Sequence, residues 1–103
     1  MPLISAQTSN GRIAGTVLDQ SGATITAASV IVVNERTNER RATQTNGDGN
    51  FVFTALQPSS YTLSAAKDGF STKEIKHLSL NVGQELRFDP TLAVSATSSV
   101  VEV

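Results

Sequence analysis

Cysteine and tryptophan are absent from this chain, histidine and tyrosine occur once each, and only 17% of the residues are charged. Without cysteine there is no disulfide, no thiolate metal ligand and no thiol nucleophile, and thiol usage says nothing about compartment, because exported chains also do without it. Eight basic residues against nine acidic ones leave a net charge of -1. Such a balance projects no field able to hold a phosphate backbone or an anionic bilayer, which argues against nucleic acid as a partner. Long apolar runs are missing too: none approaches the roughly 18 to 20 residues of a membrane-spanning helix. Four phenylalanines and one tyrosine are needed for a core, so few aromatics remain for the exposed platforms on which sugars stack, and carbohydrate is disfavoured as a ligand.

What is present is hydroxyl-rich and β-branched. Ser and Thr make up roughly a quarter of the 103 residues, a length that suits one domain. Apolar positions recur every second residue rather than every third and fourth, which predicts strands. Residues 12–18 alternate around Ile13, Gly15 and Val17 before a turn at Asp19-Gln20-Ser21-Gly22. Residues 28–34 carry Val30, Ile31, Val32 and Val33 without a break, the pattern of a central strand covered on both faces. Residues 40–45 alternate charged and small side chains, like a strand with one wet face.

Asn46-Gly47-Asp48-Gly49-Asn50 gathers residues that tolerate left-handed backbone, and the strand after it, residues 51–56, puts Phe51, Phe53 and Ala55 on one face. A hairpin is expected there. Turns follow at Gln57-Pro58-Ser59-Ser60 and Lys67-Asp68-Gly69, with a strand between them on which Tyr61, Leu63 and Ala65 alternate with Thr62 and Ser64. Residues 70–76 read as a weaker, charged strand and residues 78–82 as a cleaner one. Leu86, Phe88 and Leu92 mark the last, with Pro90 requiring an edge or a bulge. Strands and turns alternating at this beat predict an all-β sandwich.

The order of these pieces resembles the carboxypeptidase regulatory-like domain, a transthyretin-like relative of the collagen-adhesin B-type repeats. The resemblance is carried by Gly15-Thr16-Val17 with Asp19 and Gly22, then Ile25, Ala28 and Val30. Asn46-Gly47-Asp48-Gly49-Asn50-Phe51, Leu56-Gln57-Pro58 before Tyr61, and Gly69-Phe70 complete it. It implies a seven-stranded antiparallel Ig-like or transthyretin-like sandwich over residues 11–92, with an extra extended segment, 93–103, as strand or linker. Ser60 stands where the family commonly has Gly, and Asn46 where it commonly has Asp. The resemblance extends to the N-terminal extension of TonB-dependent outer-membrane receptors, where a signal peptide precedes the sandwich. Residues 1–10 fit either the end of such a signal, with a small residue at Ala6, or an ordinary flexible N-terminus.

Chemistry is thinly represented. Catalysis needs a base beside a nucleophile or paired carboxylates, and His77 is the single histidine. It reads as a solvent-facing strand residue. Clustered zinc ligands are missing, although the family name includes a zinc enzyme. Asn46, Asp48 and Asn50 imitate the start of a calcium loop, but Leu56, Gln57 and Pro58 occupy the place of its closing acid, so a plain turn is the better account. Adhesin relatives can form a Lys to Asn isopeptide. Here Arg12 replaces the lysine and Lys67 stands in place of the acid, so the resemblance implies no such bond. Arg36, Arg40 and Arg41, interleaved with Glu35 and Glu39, read as a solvated surface.

The chain therefore reads as a non-enzyme without metal or cofactor: an exported module of the periplasm, outer membrane or bacterial cell surface. Two functions fit. One is a binding or spacer module, the N-terminal accessory domain of a TonB-dependent receptor, with a protein partner. The other is a subunit of a filament or surface assembly joined to its own copies by strand donation. Val94, Ala96, Val100, Val101 and Val103 form the candidate partner segment, with pairing inside the same domain as its plain alternative.

Overall fold

The computed structural model describes residues 10–95, which contain no helix and form nine strand segments. In chain order these are β1 (Gly11–Thr16), β2 (Leu18–Asp19), β3 (Ser29–Asn34), β4 (Arg40–Gln44), β5 (Asn50–Leu56), β6 (Ser59–Ala66), β7 (Lys73–Leu80), β8 (Glu85–Arg87) and β9 (Thr91–Leu92). They assemble as a four-stranded sheet in the order β4-β3-β6-β7, a three-stranded sheet β5-β1-β8 and a two-stranded pair β2-β9. The core between the layers holds Ile13, Val17, Val30, Val32, Leu63 and Leu92, all fully buried, with Phe51, Phe53 and Leu80 nearly so. Each such aliphatic or aromatic side chain contributes about 1.5–3 kcal/mol of transfer free energy.

The all-β sandwich expected from the alternation is present. Its interior strand β3 pairs with β4 on one side and β6 on the other. Val30 and Val32 point into the core while Ile31 and Val33 are half-buried on the outer face, so one face is covered fully and the other partly.

Five details differ from the sequence expectation. There are nine strand segments rather than seven, and pairing is not antiparallel throughout: β1 pairs with β8, and β2 with β9, in parallel. In each pair the two strands run in the same direction, and the chain between them in sequence serves as the crossover that parallel pairing requires. Pro90 sits buried in the gap between β8 and β9, where its missing N–H costs nothing and its carbonyl accepts from Leu18 N at 2.9 Å.

The loop at residues 46–50 is tight but does not make a hairpin. Its neighbours β4 and β5 belong to different sheets, so the loop carries the chain across the sandwich. Alternation is also broken by bulges. Gly11 faces Leu56 while Ile13 faces Phe53, one extra residue on β5, and Ala55 takes φ 57° to accommodate it. Leu56 thereby replaces Ala55 on the core face. The same device, with His77 at φ 62°, lets residues 73–80 run as one strand in place of the two expected pieces.

The first residues of the C-terminal segment pair within their own domain. Val94 bridges Phe70, Ser71 N donates to Ala93 O at 2.8 Å, and Ser95 N donates to Gly69 O at 2.9 Å. Ala96, Val100, Val101 and Val103 lie outside the described residues, as does the signal-like start.

Candidate functional site

Ordered polar side chains in this domain concentrate where the chain turns. Buried Thr45 donates its hydroxyl to Ile25 O at 2.7 Å and accepts from Ala28 N at 2.8 Å, holding a bend in which Ala27 adopts φ 59°. Buried Asn34 ends β3. Its Oδ1 accepts from Arg36 N at 2.9 Å and from Ser59 Oγ at 2.8 Å, which ties the β3–β4 connection to the start of β6. Tyr61 Oη donates to Gln57 O at 2.6 Å, four residues upstream, as the corner tyrosine of an Ig-like sandwich does. Burial pushes the Tyr61 phenol up from its ordinary value.

The loop that imitates a calcium site is committed to its own backbone. Asn46 Oδ1 accepts from Asp48 N at 2.9 Å and Asn50 N at 3.0 Å, and Asn50 Oδ1 accepts from Thr16 Oγ1 at 2.6 Å. Among the described residues no group of three His, Cys, Asp or Glu side chains is placed to hold a metal. Asp19 is used similarly, accepting from Ser21 N, Ser21 Oγ and Ala23 N. These hydrogen bonds, the Ser21 hydroxyl first, hold its carboxyl below the usual range.

Charged groups meet on the outer face of the larger sheet, where sequence reasoning saw only a solvated surface. Glu35 is one-quarter exposed and reaches from the β3–β4 connection to Thr62 on β6 and the bulge on β7. Its Oε2 accepts from Thr62 Oγ1 at 2.6 Å and His77 N at 2.9 Å, and its Oε1 lies 3.0 Å from His77 Nδ1. The Thr62 hydroxyl foremost, then the two His77 groups, pull the Glu35 carboxyl down to about 2. The His77 ring is 81% exposed, in keeping with the solvent-facing position expected. Nothing in the sequence marks this contact, because it depends on a bulge that turns one N–H outward. Of the arginines, Arg41 donates from Nη2 to Thr54 O at 2.9 Å and so links β4 to β5, whereas Arg36 and Arg40 are exposed.

Two open grooves lie at opposite ends. One of about 480 Å³ is lined by Ala27, Ser29, Lys67, Phe70 and Thr72 beside Ser95, and another of about 400 Å³ by Asn10, Arg12, Ala55, Gly83 and Glu85. The chain thus enters the sandwich at one end and leaves it at the other. Among the described residues no Phe or Tyr ring is exposed: Phe51, Phe53 and Tyr61 are buried, while Phe70 and Phe88 are half-buried against the core. Val94 stands 63% exposed at the exit.

The sequence pattern that defines the carboxypeptidase regulatory-like domain matches residues 12–93. The chain belongs to that family. A carboxypeptidase regulatory-like domain is of a regulatory, non-catalytic type. Solved structures share its fold at low identity. A putative carbohydrate-binding protein of Bacteroides uniformis aligns at TM-score 0.64 and 16% identity, over 80% of this chain and 40% of that one. The TIE protein of Bacillus anthracis aligns at TM-score 0.67 and 20% identity, over 84% and 17%. A catechol 1,2-dioxygenase of Acinetobacter aligns at TM-score 0.66 and 12% identity, over 93% and 57%. This regulatory-like domain therefore spans between 17% and 57% of these neighbours' lengths. At such identities they share its fold alone. No curated protein matches the sequence.

Proposed function

We propose that this carboxypeptidase regulatory-like domain is a non-catalytic spacer and protein-binding module of an exported cell-envelope protein, specifically the N-terminal accessory domain of a TonB-dependent outer-membrane receptor. The observation that carries the spacer part is the placement of Asn10 and Ser95 at opposite ends of the sandwich, which separates whatever precedes the domain from whatever follows it. Commitment of Asn34, Thr45, Asn46 and Tyr61 to turns supports the same reading, since these side chains brace a scaffold and are not offered to a substrate. A protein partner is favoured over a sugar because no described Phe or Tyr ring is exposed as a stacking platform. The envelope location and the receptor context rest on the family resemblance and the signal-like start.

The test is fractionation of the native bacterium with an antibody against the domain. Recovery of a much longer polypeptide in the outer-membrane fraction is expected, and recovery in the cytoplasm overturns the location. Strand donation is the second reading, favoured by the exposed, uncharged Val94 at the exit. Because Val94 already pairs with Phe70, a donated strand begins after Ser95. Assembly of the full chain in light scattering, abolished by ending it at Ser95, would establish it.

A further inference from the structure

The first two strands of this domain, β1 and β2, lie beside the last two, β8 and β9, and point the same way. Arg12 faces Glu85, Ile13 faces Leu86 and Ala14 faces Arg87 on β1 and β8, and Leu18 and Asp19 face Thr91 and Leu92 on β2 and β9. The seam is stitched along its length by Arg12 N to Gln84 O at 3.0 Å, Phe88 N to Ala14 O at 2.9 Å and Leu18 N to Pro90 O at 2.9 Å. Side chains add rungs: Thr16 N donates to Asp89 Oδ1 at 3.0 Å, and Arg12 lies 3.7 Å from Glu85. Two glycines permit the close approach. A Cβ on Gly15 would stand 1.6 Å from Phe88 O, and one on Gly11 would stand 2.5 Å from Gln84 O.

This geometry has a mechanical meaning. A pull on the chain before Asn10 draws β1 toward one end of the sandwich, and a pull beyond Ser95 draws β9 toward the other. Strands β1 and β2 are then forced to slide along β8 and β9, so the bonds of the seam lie across the load and share it. In an antiparallel pair pulled from one shared end, the bonds are met one at a time and open like a zip. Sharing raises the barrier to forced unfolding, which is governed by the unfolding rate and not by the equilibrium stability. At the exit, the pairing of residues 93–95 with residues 69–71 fastens the loaded strand to the β6–β7 connection as well, through Ser71 N to Ala93 O and Ser95 N to Gly69 O.

We propose that the domain is a load-bearing link, in which the parallel seam of β1 with β8 and β2 with β9 acts as a shear clamp against tension applied along the chain. The inference goes beyond the spacer reading and holds whatever protein the domain belongs to, because it concerns only the direction of force through the described strands.

Single-molecule pulling on the full chain tests it. In one arrangement the handles are fixed at the two chain termini. In the other, one handle is at the N-terminus and the second at a cysteine introduced by Gln57→Cys, a unique attachment because the chain has no native cysteine. Gln57 follows β5 at the same end as Asn10, so this arrangement unzips β1 from β5. The terminal arrangement is expected to unfold at a force severalfold higher at the same loading rate. Arg12→Pro, which removes the Arg12 N–H from the seam, is expected to lower the terminal force while leaving the unzipping force within error, with circular dichroism confirming that it folds. Equal forces in the two arrangements, or a higher force for unzipping, overturn the proposal. If Arg12→Pro does not fold, the comparison of pulling directions in the unmodified sequence decides the matter by itself.

Discussion

At the scale of single residues, the buried hydroxyl of Thr45 illustrates how this domain spends its polar groups. It satisfies one donor and one acceptor of the bend that leads into β3. Thr45→Val keeps the shape and leaves Ala28 N and Ile25 O without partners, so urea denaturation should show a loss of about 1–3 kcal/mol, with Thr45→Ser recovering most of it. Gly15 is constrained from the opposite direction. It needs no unusual φ, but the Phe88 carbonyl occupies the place of a side chain, and Gly15→Ala should cost about 3 kcal/mol or more in the same assay. Ala55 carries a left-handed φ on an exposed bulge. Ala55→Gly should therefore stabilise, by roughly 0.5–1 kcal/mol, because relief of strain exceeds the added freedom of the unfolded chain.

The Glu35 contact yields a dependence on pH with a definite sign. The fold binds the carboxylate form, which lowers its pKa from 4.5 to about 2. Its contribution is complete above 4.5 and is lost as the pH falls toward 2. Glu35→Gln should accordingly be less stable than the unmodified protein near neutral pH, and the gap should close across that acidic window in parallel denaturant titrations.

At the scale of elements, alternation of apolar and polar residues made most strands legible before any coordinates. Residues 28–34 and 40–45 needed little adjustment to become β3 and β4, and Tyr61, Leu63 and Ala65 all face inward as their spacing required. Pairing was less legible. Asn46-Gly47-Asp48-Gly49-Asn50 encodes a tight reversal, and a reversal looks the same in sequence whether it joins neighbours in one sheet or crosses between two. Bulges are equally hidden, because Ala55 and His77 are not residues that advertise left-handed backbone. A one-residue slip then exchanges Ala55 for Leu56 on the core face and turns His77 N toward Glu35. The candidate partner segment was legible only as strand-prone, since β-forming composition does not name the strand it will join; Val94 joins Phe70 of its own domain.

At the scale of the whole molecule, residues 93–95 after β9 belong to the folded unit. A version ending at Leu92 loses the hydrogen bonds of Ala93 and Ser95 to the Gly69 and Ser71 backbone. At about 1 kcal/mol net for each, its melting temperature should fall by roughly 8–16 °C relative to the full chain, which calorimetry measures directly.

The placement of β1 also sets the order in which the domain can be completed. This strand leads the described sequence, yet its two neighbours are β5 and β8, so it waits unpaired until residues 50–56 and then 85–87 have been delivered. The sheet of β4, β3, β6 and β7 is interrupted in sequence only by β5 and needs neither β1 nor β8, so it can assemble first. Closure of the second layer around β1 is thus a late, long-range event, of the kind that makes β-sandwiches fold in milliseconds to seconds where helical bundles take microseconds. Under the proposed export with the N-terminus leading, β1 emerges before its partners and meets β8 only when almost the whole domain has crossed.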